Sequence, residues 1–170
     1  MTDKTVNVFD KKFINIIDKV LENEGGYVSD ENDNGGATKY GISKRSYPKI
    51  DIKNLSLDDA KFIYYRDFWQ PQLYSEIRPE SIAGKVFDLS VNVGTKRANE
   101  LLQRALRAVG CTVKEDGILG KCTLTAINLA DEKELLAALK SESAGYYRSI
   151  VYKNSTQEKF LNGWLKRAYA

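Results

Sequence analysis

Histidine is missing from this sequence altogether, and its absence removes whole classes of chemistry. Without an imidazole, neither a Ser-His-Asp nor a Cys-His hydrolase can be assembled. Cysteine is nearly as scarce: Cys111 and Cys122 are the only two. A structural zinc site normally takes four Cys or His ligands, so no metal is expected, and no cofactor either. The two thiols flank Asp116-Gly117 and are read as unpaired cysteines of a reducing cytosol, in preference to a disulfide formed after export. Long apolar runs are also lacking. Residues 1–7 hold no apolar stretch of signal-peptide length, and nothing approaches the ~20 residues needed to cross a bilayer. The expectation is synthesis in the cytoplasm without a Sec signal, and no membrane insertion. Clustered basic charge is absent too. The net charge is +3, with lysines and aspartates interspersed, which is no nucleic-acid footprint.

What remains is ordinary material for a globular chain: 42% hydrophobic and 29% charged residues. A length of 170 residues suffices for one domain, or one domain with two lobes. There is no internal repeat, low-complexity tract or flexible linker. The chemistry left open is that of carboxylates.

The stretch from Glu24 to Ser43 concentrates it. Phe13, Ile16, Ile17, Val20 and Leu21 recur at helical spacing, so 10–23 reads as an amphipathic helix stopped by Gly25-Gly26. Glu24 then lies at the negative end of the helix dipole, which together with an apolar wall would favour a protonated carboxyl. Tyr27–Ser29 and Thr38–Tyr40 read as two short strands joined by turn residues Asp33-Asn34-Gly35-Gly36. Asp33 would ride on that exposed loop and stay ionised, with Asp30 and Glu31 as substitutes. Two carboxyls tuned apart are the equipment for cleaving a glycosidic bond, one as proton donor and the other directing water or stabilising an oxocarbenium-like centre. Thr38 could hold that water.

The string Glu24-Gly25-Gly26-Tyr27, followed by Asp33-x-Gly35-Gly36-x-Thr38-x-Tyr40-Gly41-Ile42-Ser43, resembles the signature of glycoside hydrolase family 108. These are lysozyme-like N-acetylmuramidases of phages and bacteria. The resemblance continues through Asn92-Val93-Gly94 and Asp116-Gly117-Ile118-Leu119-Gly120 to Gly163-Trp164-Leu165-Lys166-Arg167, nearly the whole chain. The D-G-x-x-G run is similar to predicted peptidoglycan-binding modules fused to this family. The resemblance implies Glu24 as the acid, Asp33 and Thr38 as its catalytic partners, and Tyr40 and Asn92 in contact with sugar.

Downstream, Ser56 caps a helix carrying Asp58 and Asp59 in its first turn and running to Phe68-Trp69 before Pro71. Tyr64, Tyr65, Phe68, Trp69 and Tyr74 read as core or as sugar-stacking rings, with Trp69 the binding candidate. Pro79 opens a second helix ending near Gly94, and Thr95 caps a third, with Gln103 and Arg104 off its apolar stripe and so solvent-facing or at the lobe junction. Asp131 with Glu134 caps a long helix in which Gly145 either admits another backbone or weakens it locally. A last helix carries Phe160, Leu161, Trp164, Leu165 and Ala168.

The fold expected is α+β, predominantly α-helical and lysozyme-like, with two lobes and a small β-hairpin carrying part of the active site. Residues 1–95 form the catalytic lobe and 96–170 a helical lobe resembling a peptidoglycan-binding module that shares the core. The function expected is a monomeric muramidase cutting the β-1,4 bond between N-acetylmuramic acid and N-acetylglucosamine for bacterial cell lysis, as a phage endolysin does. Its partner is the glycan strand, reached in the periplasm or outside after holin-mediated, lytic or dedicated-machine release. The alternatives are a lytic transglycosylase, or a non-catalytic wall-binding or secretion-associated protein.

Overall fold

Phe13, Ile16, Ile17, Val20 and Leu21 do fall on one face, and they form the buried side of α1 (Lys11–Glu24) in the computed structural model, which describes residues 9–24 and 37–170. Asp10 starts this helix: its Oδ1 accepts the Phe13 N–H at 2.8 Å, and its Oδ2 accepts the Trp69 indole N–H at 2.7 Å. One carboxylate therefore satisfies a helix end and a buried indole together. Two strands follow, β1 (Thr38–Lys39) and β2 (Ile42–Ser43), antiparallel with Thr38 opposite Ser43 and Lys39 opposite Ile42. Thr38 thus pairs with residues after it. The turn between them is Tyr40-Gly41; the expected Asp33–Gly36 turn and Tyr27–Ser29 strand lie outside the described residues.

Helix α2 (Leu57–Tyr64) begins in a reciprocal cap: Ser56 Oγ accepts the Asp59 N–H at 3.1 Å and Asp59 Oδ2 accepts the Ser56 N–H at 3.4 Å. The expected helix does not continue regularly to Trp69. It widens into a π-helical turn over Tyr65–Trp69, closed by the Gln70 N–H on the Tyr65 carbonyl. The widening inserts one residue into the helical repeat, and Ile63, Tyr64 and Trp69 are all buried. Phe13 packs against Tyr65 and Trp69 with ring centroids 5.0 and 5.6 Å away. Each fully buried side chain of this size contributes roughly 2 kcal/mol.

This first compact unit ends at Pro71, and a second runs from Gln72 to Ala170. Helix α3 (Glu80–Val93) packs on α4 (Thr95–Ala108) and α6 (Glu132–Lys153) within the second unit. Helix α5 (Lys121–Leu129) packs on α4, and α7 (Glu158–Tyr169) packs on α6. Tyr147, Ala144 and Ala168 form a cluster where α6 meets α7, with Trp164 stacked on Tyr147 at 5.4 Å. Among the described residues no helix is long and apolar enough to cross a membrane.

Gln103 corrects the sequence reading. It is not solvent-facing but fully buried, and its amide organises the loop ahead of α5. Nε2 donates to Asp116 Oδ1 at 2.9 Å and to the Ile118 carbonyl at 3.0 Å, while Oε1 accepts the Gly117 N–H at 2.8 Å. These hydrogen bonds, with the Ile118 N–H, hold the Asp116 carboxyl below the usual carboxylate range. Gly117 (φ +75°) is required there, because a Cβ would sit 2.8 Å from Lys96 Cγ and 3.0 Å from the Lys96 carbonyl. Arg104 is half-buried rather than free, paired with Glu115, which its guanidinium holds ionised to lower pH than usual. Cys111 and Cys122 are both free thiols.

Gly145 is exposed within α6, and a Cβ built on it meets nothing within 4 Å. No backbone approaches it, so of its two readings the local weakening holds. Gly145→Ala is expected to stabilise the protein by about 1 kcal/mol, raising the melting temperature by a few degrees in a thermal scan. An unchanged or lower melting temperature would contradict the open space around this position.

Candidate active site

The first unit builds one acid into a defined position. Glu24 is the last residue of α1 and is half-buried. Its carboxyl abuts the hairpin turn: an ideal Cβ on Gly41 would lie 2.8 Å from Glu24 Oε2 and 3.1 Å from Glu24 Cβ. Only glycine leaves room for that approach. The turn itself is left-handed at both central residues, with φ +52° at Tyr40 and +76° at Gly41. A two-residue hairpin needs this to match the twist of its strands, and glycine supplies it freely while tyrosine does not. Tyr64, at the end of α2, holds the strained residue: its Oη donates to the Tyr40 carbonyl at 2.7 Å. Lys39 Nζ lies 5.5 Å from the Tyr40 ring centroid and donates to the Lys53 carbonyl at 3.2 Å, fixing the turn from its other side.

The other carboxylates of this unit with described partners are engaged elsewhere. Asp10 serves α1 and Trp69, Asp18 pairs with Lys61 at 2.6 Å, and Asp51 accepts from Asn54. Asp67 takes Arg66 through both oxygens and the Tyr47 hydroxyl at 2.9 Å. Arg66 and Tyr47 hold the Asp67 carboxyl below its ordinary range, while burial first and Asp67 second push the Tyr47 phenol up to about 12. These acids are structural ion pairs or caps. Among the described residues, Glu24 is the acid that faces the turn.

The remaining sequence candidates separate. Thr38 is half-buried on β1 opposite Ser43, in the strand that carries the Tyr40 turn, so the fold brings Thr38 and Tyr40 into one hairpin beside Glu24. Asp33 lies outside the described residues, as do Asp30 and Glu31. Trp69 is removed from the sugar-binding candidates. It is 0% exposed, its ring packs edge-on to Phe13, and its N–H is committed to Asp10, so it has no face to offer a sugar. Asn92 belongs to the second unit, where it is exposed and its Oδ1 accepts the Tyr147 hydroxyl at 2.7 Å. The sequence reading gave Gly41 only as part of the signature string and Tyr64 only as a core or sugar-stacking ring. The Tyr-Gly pair between Lys39 and Ile42 was the available signal for the turn; nothing local marked Tyr64 as its clamp.

The comparisons agree with this architecture. The family described as Glycosyl hydrolase 108 matches residues 17–94, the region that contains Glu24, the hairpin and Tyr64. The family described as Predicted Peptidoglycan domain matches residues 97–169. Helix α3 lies in the first matched region but packs in the second compact unit. Among solved structures, SagA of Brucella abortus is similar over 92% of this chain and 88% of its own, with 25% identity and a TM-score of 0.74. No curated protein matches. The chain is a peptidoglycan hydrolase, with residues 17–94 matching the glycosyl hydrolase 108 family and residues 97–169 the predicted peptidoglycan domain family.

Proposed function

We propose that the chain hydrolyses the β-1,4 bond between N-acetylmuramic acid and N-acetylglucosamine, with Glu24 as the proton donor. The observation that carries this reading is the Glu24 carboxyl held against a glycine turn within the region matched by the glycosidase family. In this mechanism Glu24 gives its proton to the bridging oxygen as the bond from the anomeric carbon to that oxygen lengthens. Water adds at the anomeric carbon and its proton leaves to a carboxylate. Asp33 is assigned to the second carboxyl, Thr38 to holding the water, and Tyr40 and Asn92 to sugar contacts. The second unit retains the enzyme on the wall, where it acts as a monomer in the periplasm or outside to lyse bacteria, as a phage endolysin does.

Mass spectrometry of the fragments released from purified sacculi tests the reaction directly. The expected products end in reducing N-acetylmuramic acid. Ends lighter by one water, an anhydro-muramic acid, would replace hydrolysis by transglycosylation, and reducing N-acetylglucosamine ends would move the cut to the other bond.

A further inference from the structure

We propose that Tyr64 is a positioning residue for the Glu24 carboxyl: its hydrogen bond to the Tyr40 carbonyl clamps the left-handed Tyr40-Gly41 turn against the acid, and the clamped turn sets the direction in which Glu24 presents its proton. This rests on the reading of Glu24 as proton donor given above.

Three groups converge on one point. The ideal Cβ position of Gly41 is 2.5 Å from Tyr64 Oη and 2.8 Å from Glu24 Oε2, so phenol, turn and carboxyl crowd one space. A left-handed tyrosine is unfavourable and persists only when its surroundings over-determine it. The 2.7 Å bond from Tyr64 is the described contact that does so. Tyr64 is itself rigid. It is 2% exposed, it ends a helix with a closed cap, and the Phe68 ring lies 5.6 Å from its own. Lys61, one turn earlier on α2, is paired with Asp18 on α1 at 2.6 Å, which ties together the two helices that carry the phenol and the acid. That exposed pair contributes little energy, yet it fixes the helices in register. A rigid support behind an acid is how a site keeps its reacting group aimed.

The hydroxyl alone is at issue, so Tyr64→Phe isolates it, since the ring and its burial are kept. Turnover and KM on solubilised glycan strands should separate: kcat is expected to fall about tenfold while KM stays within about twofold, as for loss of aim at the reacting atoms. Gly41→Ala presses on the same point from the hairpin and leaves Tyr64 intact. It should produce a similar loss in kcat, and the double variant should be no worse than the poorer single one, because both act through one contact. Circular dichroism and sacculus pull-down verify that each variant is folded. A Tyr64→Phe enzyme with kcat within about twofold of the parent, a loss confined to KM, or fully multiplicative effects of the two substitutions would overturn the assignment. Glu24→Gln measured alongside keeps the two ideas apart. An inactive Glu24→Gln with a fully active Tyr64→Phe rejects the clamp alone, whereas an active Glu24→Gln rejects the reading beneath it.

Discussion

Glu24→Gln is expected to lower the rate of sacculus digestion by about a thousandfold or more, the range that a positioned general acid supplies. Glutamine keeps the volume and shape of the side chain, so the half-buried carboxyl is replaced without opening a cavity between α1 and the Tyr40-Gly41 turn. It cannot release a proton to a glycosidic oxygen. Stability should therefore change little, and binding to sacculi should persist because the region matched by the peptidoglycan domain is untouched. Release of dye-labelled wall fragments measures the rate, and a pull-down with intact sacculi measures retention. Normal digestion by this variant would transfer the acid role to another carboxylate. Loss of digestion together with loss of the folded state would instead make Glu24 a structural residue.

The largest effect on stability should come from Asp88, in the second unit. Arg167 on α7 reaches Asp88 on α3, 79 positions earlier, with Nε to Oδ2 at 3.1 Å and Nη2 to Oδ1 at 2.9 Å. Both side chains are nearly out of solvent, 13% and 11% exposed. Lys85 Nζ adds a bond to the Arg167 carbonyl at 2.5 Å, so one turn of α3 receives the end of α7. A buried pair gains little over apolar residues of the same shape, but breaking it strands a charge that has already lost its water. Asp88→Ala is accordingly expected to cost about 3–5 kcal/mol, with a fall in melting temperature of the order of 10 °C. The double replacement Asp88→Leu with Arg167→Met removes both charges and should recover most of that loss. Thermal or urea unfolding of the three proteins decides the matter. A shift of only a degree or two in Asp88→Ala would mean that Arg167 finds water or another acceptor without penalty.

Neither pair could be read from the sequence, and the reason is common to both. Periodicity reports which residues of one segment share a face, and caps and turns report where a segment starts and stops. Those rules located α1, the Ser56 and Asp131 caps, the start of α3 at Pro79 and the last helix, because each depends on residues a few positions apart. They also placed Glu24 at a helix end. The rules fail where partners are distant. Gln103 looked like a surface residue off an apolar stripe, yet it is buried because a loop folds back onto it and satisfies every polar atom of its amide. Trp69 looked like a ring that could meet sugar, yet Asp10, 59 positions earlier, accepts its N–H and closes it into the core. The Tyr40-Gly41 turn was missed because a left-handed tyrosine has no favourable local propensity; it is held there by Tyr64.

By itself, then, the chain dictated its helices, their caps, the lack of any imidazole chemistry, and the string of residues that marks it as a glycosidase. Those are properties of composition and near neighbours. The folded molecule decided which acid stands against a glycine turn, which tyrosine supports that turn, that α3 packs with the second unit, and that Trp69 is core. Each of these depends on burial and on contacts between remote segments, and both come into being only when the chain has closed on itself.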